Sequence, residues 1–222
     1  MAARKKPPRE SAQARSTRAL RILDTLSQTY PDAHCELDFQ DPWQLLVAVV
    51  LSAQCTDANV NKATPALFRR YPAPRDMAAA EPTDVEPFIK TLGLYRNKAK
   101  NLITTARAVV EQHDGVVPDE REALEALAGV GRKTASVVLA EAYHQPALAV
   151  DTHVGRLSRR LGLTVHEDPN DVEQDLCALI PRERWRETHH ALIWHGRRHC
   201  GARAPGCDDC PVLSDCPRVG VS

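Results

Sequence analysis

Three groups of residues in this 222-residue chain have the types and spacing to do chemistry. The first is Leu127-Ala-Gly-Val-Gly-Arg-Lys-Thr-Ala135. Its two glycines can take positive φ and bring the backbone close to a ligand. The amides of Gly129, Val130 and Gly131 then stand at the start of a following helix, where unpaired N–H groups and the helix dipole favour an anion such as a DNA phosphate. The same dipeptides also serve as plain helix–helix connections. Lys133 falls in the first turn of that helix, where the positive dipole end opposes an ammonium and favours a neutral, nucleophilic amine. The second group, eighteen residues on, is Asp151 in Val150-Asp-Thr-His-Val154. At a helix start, the dipole and the capping amides keep a carboxylate ionised and able to stabilise a developing cation.

The third group is a cysteine cluster, Cys200-x6-Cys207-x2-Cys210-x5-Cys216, in a loop of Gly, Pro and Asp with almost no apolar residues to pack. No apolar h-region follows the basic N-terminus and Pro7-Pro8 breaks an early transit helix, so a reducing, cytoplasmic setting is expected. Disulfides are disfavoured there and metal binding is favoured. Four thiolates complete either a tetrahedral zinc site or the corners of a [4Fe-4S] cube, and the spacing, unlike the paired knuckles of zinc ribbons, tilts the reading towards iron and sulfur. Cys35, Cys55 and Cys177 read as small buried apolar residues with no assigned chemistry.

Helices must position these groups, since helical periodicity dominates. Expected segments run from Thr17 to Gln28; from Asp41-Pro42 through an apolar body to Leu51; from the Thr56 cap to Arg70; from a Thr83/Glu86 capping box to near Gly93; and from Tyr95 to His113. Asp119 is expected to cap a helix ending at Leu127, which the glycine hairpin joins to one running to Tyr143; later helices open at Asp151, Asp168-Pro169 and Pro181. No strand-like alternation exceeds Ala147 to Val150, so the fold class is all-α.

The charges cancel, 29 Lys plus Arg against 29 Asp plus Glu, but seven basic residues (Arg4, Lys5, Lys6, Arg9, Arg15, Arg18, Arg21) crowd the first 21 positions. Any nucleic-acid surface is therefore local. Residues 1–16 read as a disordered basic arm, either a solvated tail or a phosphate tether. The longest apolar run, Leu45 to Leu51, is seven residues, which excludes a membrane-spanning helix.

The hairpin, the Val-Asp-Thr-His-Val segment and the 6-2-5 cysteine spacing together resemble the endonuclease III family of DNA glycosylases, over nearly the whole chain from Thr17 onward. Leu51-Ser-Ala-Gln-Cys-Thr-Asp57, Asn61-Lys-Ala-Thr64 and Gly93-Leu-Tyr95 match further family motifs. The resemblance implies a two-domain helix-hairpin-helix glycosylase fold. Residues 35–145 would form a six-helix domain, residues 17–34 and 146–222 a [4Fe-4S] cluster domain, with substrate in the cleft between them. It implies a bifunctional glycosylase and AP lyase of base excision repair, a nucleoid-associated bacterial monomer acting on double-stranded DNA with an oxidised pyrimidine or an abasic site. Lys133 would be the nucleophile, Asp151 its carboxylate partner, Gln54 the side chain filling the vacated space, Leu94 the wedge at the opposite base, and Asp57 a structural polar residue. His153 would approach the base-side cleft, and Cys200, Cys207, Cys210 and Cys216 would hold the cluster.

The chain departs from the family pattern at Ala128, usually proline, and at Gly155, usually larger. The cysteine loop has one basic group, Arg203, with Arg197 and Arg198 nearby. The adenine-specific mismatch branch is disfavoured because Lys133 stands where that branch has a small hydroxyl residue, and because the chain ends six residues after Cys216. A mismatch thymine or uracil glycosylase differs only in pocket shape, and a non-catalytic iron–sulfur DNA-binding protein would keep the motifs without the cleavage.

Overall fold

The computed structural model describes residues 9–221, which carry eleven α-helices, one short 3₁₀ turn and no β-strand beyond an isolated bridge between Cys200 and Pro205. The chain is all-α, as expected, and among the described residues no helix is long and apolar enough to cross a membrane. It divides into two compact units, one of Cys35–Gln145 and one of Met1–His34 with Pro146–Ser222.

The middle unit is built around α2 (Pro42–Leu51). Asp41 starts it by accepting from the Gln44 amide at 2.8 Å, and Pro42 needs no N–H at the first helical position. Every residue from Leu45 to Leu51 is at most 4 % exposed, so the helix is wrapped on all sides. Its neighbours are α3 (Asp57–Arg70), α6 (Tyr95–Gln112) and α8 (Arg132–Ala142). The short α4 (Pro74–Ala78) and α5 (Pro82–Ile89) pack on α6, and α7 (Arg121–Glu125) packs on α8.

Some helix starts differ from the sequence expectation. Helix α5 begins at Glu81-Pro82, with the Glu81 amide donating to Asp84 at 3.3 Å, rather than at Thr83 with Glu86, because proline takes the first helical position. Helix α7 follows Glu120, while the Asp119 carbonyl is occupied by Gln145 at 2.8 Å. Helix α4 is only five residues long, too short to show a periodicity.

In the second unit α1 (Ala12–Thr29) lays Ala19, Ile22, Leu23 and Leu26 against α10 (Pro169–Leu179) and α11 (Trp185–Arg198), while α9 (Thr152–Arg160) packs on both of those. The basic arm is shorter than expected: Ser11 accepts from the Ala14 amide at 3.1 Å, so residues 12–16 are already helical. Part of the arm's charge is spent inside this unit. Arg18, 9 % exposed, holds Glu10 with two hydrogen bonds and donates to the Leu161, Gly162 and Asp215 carbonyls, and Arg21 pairs with the Asp215 carboxylate at 2.6 Å. Residues 1–8, with Arg4, Lys5 and Lys6, lie outside the described residues.

Candidate active site

The glycine hairpin joins α7 to α8 as the sequence suggests, and one side chain of α6 braces it. Gly129 takes φ +76°, a left-handed conformation that costs a side-chain-bearing residue, and a Cβ there would meet Asn101 Nδ2 at 2.8 Å. Thr105 Oγ1 donates to the Ala128 carbonyl at 2.7 Å, fixing the turn at the position where the family usually has proline. The three hairpin residues are not equivalent. Val130 is 6 % exposed and its amide donates to the Leu127 carbonyl at 3.1 Å, so it anchors the turn and its N–H is not open to a ligand. Gly131 is the N-cap of α8 and is exposed.

Lys133 follows in the first turn of α8 with its side chain in solvent. Behind it, the buried hydroxyl of Ser136 accepts from Arg121 at 2.9 Å, tying α8 to α7. Gln54 and Leu94, in the same unit, share an unusual backbone: φ is +57° at Gln54, in the loop after α2, and +58° at Leu94, which caps α6. Gln54 is exposed, and Leu94 exposes 57 % of its surface. Left-handed backbone at non-glycine residues costs of order 1–3 kcal/mol and concentrates at functional positions. Asp57 opens α3, where a carboxylate in the first turn favours the positive end of the helix dipole.

In the second unit Asp151 is half-buried, and its Oδ1 accepts from the Val154 amide at 2.8 Å, capping α9 as expected. His153 lies against α11, where a Cβ on Gly196 would come within 2.9 Å of its Nδ1; Arg156 Nη2 stands 3.2 Å from the same nitrogen. Burial pushes the His153 imidazole below its ordinary pKa, which favours the neutral ring. Gly155 is buried in α9, and a Cβ added there would make only ordinary van der Waals contacts, so no close backbone approach demands glycine.

None of the seven cysteines is in a disulfide. Cys200, Cys207, Cys210 and Cys216 line one cavity of about 20 Å³ together with Leu157, Leu161, Val212 and Leu213. Burial, and then the crowding of neighbouring sulfurs, pushes the Cys210 and Cys216 thiols up, so gathering these side chains as thiolates calls for a cationic centre among them. Four thiols around an apolar hollow are a donor set that fits a thiolate-bound metal group. Among the described residues, no three His, Cys, Asp or Glu side chains converge closely enough to hold a single metal ion.

Two arginines that the sequence reading passed over hold this loop. Arg160 Nη1 donates to Cys200 Sγ at 3.2 Å and to the Gly201 carbonyl at 2.7 Å, and its Nη2 donates to the Ala202 carbonyl at 2.7 Å. Arg156 Nη2 reaches the Gly196 and Cys200 carbonyls at 3.0 and 3.1 Å. Their i, i+4 spacing on α9 was the available signal. Arg197 and Arg198 are both exposed, and the Arg198 guanidinium lies 3.6 Å from the Trp194 ring centroid. Arg203 is exposed.

The sequence matches the model of the HhH-GPD superfamily base excision DNA repair proteins over residues 47–182. It is 49 % identical to endonuclease III of Synechocystis sp. over 210 residues, covering 94 % of this chain and 96 % of that protein. The structure is similar to that of a non-covalent endonuclease III–DNA complex, with TM-score 0.87 and 47 % identity over 90 % of this chain and 94 % of the other. It is equally similar, at TM-score 0.87 and 47 % identity over 90 % and 95 %, to a trapped endonuclease III–DNA covalent intermediate. The chain belongs to the HhH-GPD superfamily and, within it, to the endonuclease III family of base excision repair DNA glycosylases with AP lyase activity.

Proposed function

We propose that this chain, working as a monomer on the nucleoid DNA of a bacterium, excises oxidised pyrimidines from double-stranded DNA and cuts the strand by β-elimination, with Lys133 as the nucleophile. The observation that carries this reading is the placement of Lys133: an exposed amine in the first turn of α8, directly after a hairpin whose Gly129 holds a left-handed turn. The trapping of a covalent DNA intermediate in a relative of the same fold supports it.

The open amides of Gly129 and Gly131 receive a backbone phosphate and set the register of the duplex, while the damaged nucleotide is turned out of the stack. Gln54 and Leu94 occupy the space it leaves and the opposite base; both are exposed and already strained, so no rearrangement is needed to present them. The Lys133 amine attacks C1′ of the sugar, and the glycosidic bond breaks through an oxocarbenium-like state that the Asp151 side chain stabilises. The resulting Schiff base acidifies the C2′ hydrogen, and β-elimination cleaves on the 3′ side. His153, kept neutral by burial, contributes a wall of the base-side pocket.

Cys200, Cys207, Cys210 and Cys216 hold a [4Fe-4S] cluster. When bound, the cluster supplies a cross-link that stands in for the apolar core the loop lacks. Arg160 holds the Cys200 sulfur and the Gly201 carbonyl in place.

The test is a labelled duplex with one oxidised pyrimidine, incubated with the protein and then with borohydride. A covalent adduct that is absent with Lys133→Gln is expected. An intact strand without adduct, on that lesion and on a plain abasic site, would refute the lyase assignment to Lys133.

A further inference from the structure

His195, on α11, is 1 % exposed and lines the same hollow as the four cysteines of the C-terminal loop. Its Nε2 lies 3.6 Å from Cys210 Sγ, and its Nδ1 is 3.0 Å from the hydroxyl of Tyr30, the residue that ends α1. The His199 ring stacks on it, with centroids 5.3 Å apart and an interplanar angle of 15°. A sulfur that ligates iron carries no proton, so the contact with Cys210 then runs one way, from Nε2–H to the sulfur. Nδ1 of the neutral ring is left as the acceptor, and the Tyr30 hydroxyl donates to it. Helix α1, helix α11 and the cysteine loop thus aim one N–H at one sulfur. None of the steps assigned to Lys133 and Asp151 uses His195 or Tyr30.

We infer that His195, oriented by Tyr30, is a positioning residue for the iron–sulfur group: it holds Cys210 as a ligand and raises the reduction potential. The inference rests on the [4Fe-4S] reading of the four cysteines. An N–H donated to a ligating sulfur draws electron density from it, which favours the reduced, more negative state over the oxidised one. The couple concerned is the gain of one electron from an electrode. No proton moves, and the ring keeps its Nε2–H in both states.

The four sulfurs are not served alike. Arg160 donates to Cys200 Sγ at 3.2 Å and His195 to Cys210 Sγ at 3.6 Å, whereas Cys216 Sγ lies 3.7 Å from the Arg160 carbonyl, which can only accept. Arg160 also pins the Gly201 and Ala202 carbonyls, so its loss loosens the backbone of the loop. Among the described residues the His195 side chain bonds Tyr30 and Cys210 and no backbone group. Its effect on the sulfur can therefore be removed while the loop keeps its anchors.

The holoprotein, with its iron and sulfide assayed, is examined by film voltammetry beside His195→Leu, His195→Gln and Tyr30→Phe. Leucine keeps an apolar side chain in the hollow and removes the N–H. At unchanged iron content the reduction equilibrium should fall on the order of tenfold, a potential about 59 mV more negative for one electron. Glutamine carries an amide N–H close to where the imidazole Nε2 stands, and should restore the parent potential. Tyr30→Phe should shift it in the same direction by less. A His195→Leu equilibrium within about twofold of the parent at full iron content, or a shift that glutamine does not reverse, would overturn the proposal. If His195→Leu does not retain iron, Tyr30→Phe decides, and an unmoved potential there overturns it equally. A parent protein without iron and sulfide would instead remove the [4Fe-4S] reading, and this inference with it.

Discussion

A single added carbon at Gly129 tests the hairpin geometry. Alanine there must enter φ +76°, at a cost of about 1–2 kcal/mol for an L residue. Its Cβ would also stand 2.8 Å from Asn101 Nδ2 and 3.3 Å from Asn101 Cβ and Cγ. The amide end can swing aside, but the Asn101 Cβ is fixed to α6, so a steric cost remains. Gly131 is an internal control, because its φ is −101° and a Cβ would meet nothing within 4 Å.

For a chain of this length about 1 kcal/mol shifts Tm by about 2–4 °C. Gly129→Ala should therefore lower Tm by about 2–8 °C through backbone strain alone, and further through the contact. Gly131→Ala, free of backbone strain but a poorer N-cap, should cost less, about 0.5–1 kcal/mol. Combining Gly129→Ala with Asn101→Ala removes only the steric part, so a double-mutant cycle on Tm should show coupling between the two positions. Titration of the same proteins with an abasic-analogue duplex should show weaker binding for Gly129→Ala. Equal Tm values for the two alanine variants, or additive effects of Asn101→Ala and Gly129→Ala, would refute this account of the hairpin.

Arg160→Met removes charge-assisted bonds to the cysteine loop and should weaken it by about 1.5–3 kcal/mol, seen as faster loss of the proposed cluster's iron to a chelator; an unchanged rate would count against Arg160 as the loop's clamp. Leu94→Gly relieves the left-handed strain at an exposed position, so Tm should hold or rise while base excision falls; a large loss of stability would contradict the assigned wedge role. The Glu10 carboxyl is held below its ordinary pKa by the hydrogen bond from Arg18, so this pair stabilises the fold above about pH 4.5 and loses that contribution as pH falls through the lowered value. Glu10→Gln should be less stable than the parent by about 1 kcal/mol at pH 7, and the gap should close in acid; a gap independent of pH would exclude the ionic origin.

Local signals were strong where one residue satisfies its own neighbours. Asp41-Pro42, Thr56, Asp151 and Asp168-Pro169 each cap the helix that the chain places next to them, so sequence reading finds those starts. It misses α4, a single five-residue turn held by packing on α6, and misplaces the start of α5, where Pro82 overrides the Thr83/Glu86 pattern. The basic arm misled for a related reason: composition reads Arg15, Arg18 and Arg21 as solvated charge, whereas Glu10 and Asp215 take them up.

The sequence by itself determined the all-α class, the hairpin and the lysine that follows it, the aspartate cap and the spacing of four cysteines, since each of these is a pattern over a few residues. Only the tertiary structure decided that Val130 faces inward, that Leu94 and Gln54 sit in left-handed backbone, that Arg160 holds a loop 41 residues away and that Lys98 buries its amine against Cys55, 43 residues back. These are consequences of which surfaces pack together. A hydrogen bond across 143 residues, as from Arg18 to the Leu161 carbonyl, leaves no periodicity or spacing in the chain for a sequence reading to find.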